Sequence, residues 1–237
     1  MEIKADLHVH SEGSPDGKMS VEEIVKIAKE KGLSAVAICD HDAVMESVPE
    51  YEDFLIIPGT ECSTELGHML GLFVTEHIPS KPLCEAADAV HAQGGITVMA
   101  HPFEHRTDCE RIDAALPHID GVEVWNGRAE RKIKNANSMA AAYASEHGKL
   151  CTAGSDAHVA EEIGNGTVTL EVEELTLEAV KKALLKGGVC NGTRGKAFSV
   201  AKSQLTRRIK TNAKPKSYIK WALFAAKCAA EDVFGGN

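Results

Sequence analysis

Strand after strand of this chain ends in a histidine or an acid, and that arrangement constrains the fold more than any other feature. Apolar runs at about 3–9, 35–39, 54–59, 69–74, 96–100, 119–125 and 150–153 are separated by helical patterns or polar loops, and residues 167–172 add a further candidate strand. Apolar runs of this length suit strands buried on both faces, and strands alternating with helices pair in parallel. Seven or so such units in about 200 residues close more readily into a barrel than into an open sheet. The expectation is an α/β protein with a TIM-like barrel, whose active site lies at the carboxyl ends of its strands.

Local signals agree with this reading. Ser20, with Glu23 three residues on, forms a capping box for a helix that stops at Gly32. Helical patterns cover Leu83 to Ala92 and an Ala-rich stretch of about 129–147, and Thr176 caps a helix to about Lys186. No glycine-rich phosphate loop stands at a strand-to-helix turn, which leaves a nucleotide-binding Rossmann fold little support. In the first strand, Asp6, His8 and His10 alternate and are expected to face one way.

Several function classes can be set aside. At 237 residues and 43% hydrophobic, the chain suits one large core, and no run of 18 apolar residues or signal-peptide pattern appears, so a cytoplasmic location and no transmembrane segment are expected. Seven cysteines, odd in number and never in a Cys-x-x-Cys pair, argue against a disulfide framework and a thiolate zinc site. Residues 1–201 hold 18 Lys and Arg against 33 Asp and Glu, while residues 202–237 hold 8 against 2. An acidic body does not favour an anionic substrate unless bound cations reverse the field locally.

The groups gathered at the strand ends are His8, His10, Asp16, His41, Glu61, His68, His101, Asp156 and His158. Buried together without partners they would cost several kcal/mol each. Six imidazoles and three carboxylates suit Zn, Mn or Fe, and nine donors are too many for one ion, so two or three divalent metals are implied.

These residues carry a resemblance. Asp6-Leu7-His8-Val9-His10-Ser11, Cys39-Asp40-His41-Asp42, Pro58-Gly59-Thr60-Glu61, Ala100-His101-Pro102 and Gly154-Ser155-Asp156-Ala157-His158 resemble, in order, the motifs of the polymerase and histidinol phosphatase (PHP) family. The resemblance implies a distorted (β/α)7 barrel and hydrolysis of phosphate esters. It places His8, His10, Glu61 and Asp156 on a first metal, Glu61 with His68 and His101 on a second, and Asp16, His41 and His158 on a third. Asp16 stands where some members have a histidine, so an oxygen donor there favours Mn or Fe, or a weaker site.

Two adjacent cations give a bridging hydroxide at neutral pH and neutralise the phosphoryl oxygens. The expected function is therefore a metal-dependent phosphoesterase acting on phosphate monoesters of a small metabolite or nucleotide. Asp156 belongs to its catalytic set, and His158 or His41 is the candidate general acid. Asp40 and Asp42 are expected to orient ligands. Arg128 and Arg194 are candidate phosphate clamps, against the alternatives of a solvated helix start and a plain connector. His77, His91, His105, His118 and His147 are read as surface residues. The chain divides into a barrel over 1–200 and a basic, apolar helical tail over 201–237 that packs on it. That tail also makes a nuclease or nucleoside-bisphosphate phosphatase acting on nucleic-acid ends the main alternative. An amidohydrolase lacks support because no bridging lysine is found mid-barrel, and a silent metal-binding module would have lost ligands.

Overall fold

The computed structural model describes residues 1–234. Nine strands make one sheet: β1 (Glu2–Val9), β2 (Ala35–Ile38), β3 (Leu55–Thr64), β4 (Gly67–Leu72), β5 (Ile96–Met99), β6 (Gly121–Asn126), β7 (Leu150–Gly154), β8 (Gly166–Glu171) and β9 (Val189–Gly192). Their order is β7-β6-β5-β4-β3-β2-β1-β8-β9. The helices are α1 (Val21–Glu30), α2 (Leu83–Ala92), α3 (Glu110–Ala115), α4 (Ala136–Glu146), α5 (Leu177–Lys186), α6 (Ala197–Lys210) and α7 (Pro215–Phe234).

The barrel is more mixed than the alternating pattern predicts. β1–β2–β3 and β5–β6–β7 pair in parallel, but β4 runs antiparallel to both β3 and β5, and β8 is antiparallel to β1 and β9. The physical reason for β4 is the length of its connection: Thr64 already pairs with Gly67, a hairpin turn too short for the crossover that parallel strands require. β3 accordingly runs past the expected end, and Glu61 lies within a strand rather than at its tip. The expected 129–147 helix also starts late. Asn135 sits at φ 71°, a left-handed backbone that separates a short 3-10 turn at Ala129–Arg131 from α4.

Inward residues Ile3, Ala5, Leu7, Ala37, Ile57, Leu70, Val98 and Val168 fill the barrel, while Val9, Val36, Ile38 and Ile56 pack outward with α1. Ser20 caps α1 as expected, its Oγ accepting from the Glu23 amide at 3.2 Å. One irregularity matters for function. The β1–β2 register slips between Asp6 and Val9, so Leu7 stays inside, His8 and His10 turn to the site, and Asp6 does not join them. The Asp6 carboxylate instead accepts from the amides of Ser155 at 2.9 Å and Gly164 at 2.8 Å. It thereby fastens the seam where β1 meets the end of β7, which also carries the Val9–Ala157 bridge and the Asp156 amide bond to the His8 carbonyl.

After the barrel, α6 and α7 share a small core of Ala197, Ala201, Ala225 and Cys228. Lys202 pairs with Glu161, and Lys210 donates to the carbonyls of Glu12 and Ser14, so α6 is strapped to the loop that carries Asp16. The last three residues of the 201–237 segment lie outside the described residues. No described helix is long and apolar enough to cross a membrane.

The seam leaves no room at Gly154, where a Cβ would collide with His8 Cβ and stand 2.8 Å from the His8 amide nitrogen. Gly154→Ala is expected to lower unfolding stability by about 3 kcal/mol, as overpacking does at its upper range, read by denaturant unfolding. A neutral result would mean that the two strands do not approach this closely.

Candidate metal centre

Glu61 stands at the middle of the site, 1% exposed, with its two oxygens facing different histidines. Oε1 lies 2.8 Å from His68 Nδ1 and 3.0 Å from His101 Nε2. Oε2 lies 2.9 Å from His41 Nδ1, 3.4 Å from His10 Nε2 and 3.6 Å from His8 Nε2. Its backbone is held between the Asp40 carbonyl and the Asp42 amide, which fixes β3 against the His41 turn. Asp156 Oδ1 faces His10 Nε2 at 3.3 Å and His8 Nε2 at 3.8 Å, and Asp16 Oδ1 faces His158 Nε2 at 3.3 Å and His41 Nε2 at 3.5 Å. All nine residues anticipated from the sequence thus meet at one rim. Donor atoms of eight of them fall into three groups, His8–His10–Asp156, Glu61–His68–His101 and His10–His41–His158, with His10 rather than the expected Asp16 completing the third.

Several of these atoms are close without bonding one another. Glu61 Oε2, Asp16 Oδ1 and His68 Nδ1 are buried and have no hydrogen-bond partner. An orphaned buried carboxylate oxygen costs several kcal/mol unless something else satisfies it. His8 Nε2 and His10 Nε2 point at each other across 3.1 Å, an arrangement that suits a shared electrophile better than two ring protons. Donor set, burial and missing partners therefore fit divalent cations.

The electrostatics have the same cause. Burial would raise Glu61 and Asp156, but the imidazoles around them, joined by Arg128 beside Asp156, hold both carboxyls well below the ordinary range. Burial would lower His8 and His101. Glu123, Asp156 and Glu61 nonetheless hold His8 well above its ordinary value, and Glu61 with Glu104 and Asp156 pushes His101 up to about 10. His10, buried beside His158 and His41, is held well below. Protons on His8 and His101 balance carboxylates that cations would otherwise balance.

A ring of supporting residues sets the tautomers, and most of it is not signalled by the sequence motifs. Glu123 is the chief member. Its Oε1 accepts from His8 Nδ1 at 3.0 Å and its Oε2 from the His101 amide and Asn126 Nδ2, each at 2.9 Å, so one carboxylate positions ligands of two groups. Its signal was an isolated acid inside an apolar strand. Ser14 Oγ bonds His10 Nδ1 at 2.9 Å and donates to Asp40 at 2.7 Å, which supports the orienting role expected of Asp40. Asp42 accepts from Ser63 and Ser80. His101 and Asp156 have backbone φ of 29° and 55°, strained for side-chain-bearing residues and held there by the surrounding strand ends.

The expected phosphate clamps have other partners. Arg128 is not a solvated helix start. Its Nε and Nη2 fork onto Glu162 at 2.7 and 2.5 Å, and Glu162 also accepts the His158 amide at 3.0 Å. Both fork nitrogens are occupied, so Arg128 steadies the His158 turn. Arg194 pairs with Glu231 of α7 at 2.9 Å on the exposed surface. Among the histidines read as surface residues, His105 is exposed but stands beside the site, 3.4 Å from Glu104, which in turn lies 3.5 Å from His101 Nδ1.

The chain matches the PHP domain over residues 6–57 and the PHP-associated region over residues 134–189. It is 34% identical over 184 residues to an uncharacterized protein of Methanocaldococcus jannaschii, covering 74% of this chain and 73% of that one. The chain belongs to the PHP family. It is also similar to the probable phosphatase YcdX of Shigella dysenteriae, 26% identical over 204 residues, or 70% of this chain and 83% of the relative. In structure it resembles endonuclease Q, solved with a duplex carrying an abasic lesion, at a TM-score of 0.57 and 19% identity over 81% of this chain and 58% of that one. At that identity the likeness is one of fold.

Two outcomes are expected. Glu123→Gln keeps the shape but loses the charge behind His8, and should weaken metal affinity 10- to 100-fold, the usual order for a group supporting a ligand, as read by competition with a chelator. Unchanged affinity would remove Glu123 from the centre. Because His8 and His101 are held protonated above their ordinary values, a cation must displace protons. Metal uptake near pH 7 should release protons and its apparent affinity should rise with pH. Titration calorimetry in two buffers of different ionisation enthalpy reads this, and identical heats would contradict it.

Proposed function

We propose that this PHP-family chain is a metal-dependent phosphoesterase that hydrolyses phosphate monoesters of a small metabolite or nucleotide. The observation that carries the reading is the convergence of nine imidazole and carboxylate groups, Glu61 and Asp156 among them, three with buried atoms that no protein group satisfies. The names of the YcdX relatives agree with it. His8, His10, Glu61 and Asp156 would hold one cation, Glu61, His68 and His101 a second, and Asp16, His41 and His158 a third, with Mn, Zn or Fe as candidates. Such cations supply Lewis acidity toward phosphoryl oxygens and bring the pKa of water toward neutrality.

The chain's own residues do the rest. His158 Nδ1 donates to the Asp156 carbonyl at 2.9 Å, which sets its tautomer and leaves Nε2 facing Asp16 and the open rim. Burial would lower His41, but the negative charge of Glu61, with that of Asp16 and Asp156, holds its imidazole above the ordinary value. Where no third cation engages them, either ring, once doubly protonated, can deliver a proton to the leaving oxygen from that position. Glu123 and Ser14 keep His8 and His10 from rotating, and Glu162, braced by Arg128, keeps the His158 turn in place.

One observation favours a second reading, cleavage at a nucleic-acid end. α6 carries Arg207, Arg208 and Lys210, and its Lys210 is anchored on the Asp16 loop, so a basic helix borders the rim.

Hydrolysis of an aryl phosphomonoester and of its diester, in Mn and in Zn, separates the two. Monoester turnover is expected, with kcat/KM at least about 10³-fold lower in His101→Ala, equivalent to roughly 4 kcal/mol of transition-state stabilisation. Turnover of the diester or an oligonucleotide alone would transfer the reading to a nuclease. Turnover unaffected by His101→Ala would place the chemistry elsewhere.

A further inference from the structure

Beside the Glu61–His68–His101 group the rim opens into a cleft of about 240 Å³ that the hydrolytic reading leaves unused. His68 and His101 form its boundary with the metal centre. Leu66, Met99, Pro102 and Ile112 line it with apolar surface, and Arg106 and Arg111 line it with charge. The volume is enough for a sugar- or aryl-sized group.

The two arginines differ from Arg128 and Arg194. Those are consumed by Glu162 and Glu231, whereas neither Arg106 nor Arg111 has an acidic group within ion-pair distance among the described residues. The acid that shares their cleft, Glu104, is taken up by His101 Nδ1 at 3.5 Å and His105 Nε2 at 3.4 Å. In a body that holds 33 acids against 18 basic residues over 1–201, two guanidiniums without an ion-pair partner place positive charge on a largely apolar cleft. A planar guanidinium is the side chain best shaped to take phosphate or carboxylate through paired N–H donors.

We propose that this cleft is the leaving-group subsite and that Arg106 and Arg111 bind a second anionic group, a phosphate or a carboxylate, on the substrate. The inference rests on the phosphoesterase reading for the position of the first phosphate. It narrows the substrate class to monoesters that are anionic at both ends, with an apolar middle of about ring size.

Equilibrium binding to the metal-loaded protein tests it without turnover. By calorimetry, 4-carboxybenzylphosphonate and the matching 1,4-bisphosphonate are compared with benzylphosphonate. The wild type is expected to bind at least one of the dianionic probes about 10- to 100-fold more tightly, the order of a charge-assisted bidentate contact. Whichever probe gains more names the second group. In the Arg106→Ala/Arg111→Ala double variant the ratio should fall to near one. A wild-type ratio near one, or a ratio kept in the double variant, would overturn the proposal. Hydrolysis of phenyl phosphate and of 4-carboxyphenyl phosphate measured alongside separates the two claims. Turnover of either with a binding ratio of one leaves the phosphoesterase reading standing and removes the subsite, and a tenfold ratio with turnover of neither keeps the second-anion site and removes the phosphoesterase reading.

Discussion

The structure depends on one buried carboxylate being shared. Glu61 lies within a strand, almost wholly out of water, and gives one oxygen to His68 and His101 and the other to His41, His10 and His8. Such a group cannot be left to itself, because an ionised carboxylate in the interior costs several kcal/mol unless positive charge accompanies it. Imidazoles supply that charge only while protonated, and their ring nitrogens are aimed at common points rather than aligned along hydrogen bonds to Glu61 Oε2 or from His68 Nδ1. Divalent cations satisfy both the charge and the geometry, which is why the same residues that destabilise an unloaded barrel are the ones suited to phosphoryl chemistry.

The barrel's irregularities serve this centre. A regular first strand would put Asp6, His8 and His10 on one side. The register slip between Asp6 and Val9 separates them, sending the histidines to the site and the Asp6 carboxylate to the Ser155 and Gly164 amides. Burial pushes Asp6 up to about 6 against the pull of those hydrogen bonds, so the seam is closed at an electrostatic cost. The antiparallel β4 has a similar consequence. By turning back directly after β3 it brings His68 beside Glu61 on the neighbouring strand, a juxtaposition that a long crossover would not enforce.

Much of this was legible in the sequence. His8, His10, His41, His101, Asp156 and His158 stand at the ends of apolar runs, and a strand end in a barrel is a position in space as well as in the chain. The supporting residues were less legible, because each depends on a partner distant in sequence. Glu123 reads as a stray acid in strand β6 until the fold brings it to His8, 115 positions away. Glu162 reads as a surface acid until Arg128 forks onto it. The mixed pairing of the sheet and the short β9 were hidden for a related reason: period and composition report that a strand is buried, not which neighbour it meets or in which direction.

Whether Glu61 joins cations is tested most directly by metal stoichiometry. Protein loaded with Mn or Zn and freed of excess ion is assayed for bound metal per chain, alongside Glu61→Gln, with folding verified by circular dichroism. Two or three ions in the wild type, and the loss of at least one in a folded Glu61→Gln variant, is the predicted result. A folded wild type that retains none, or a variant that retains the full complement, would contradict it.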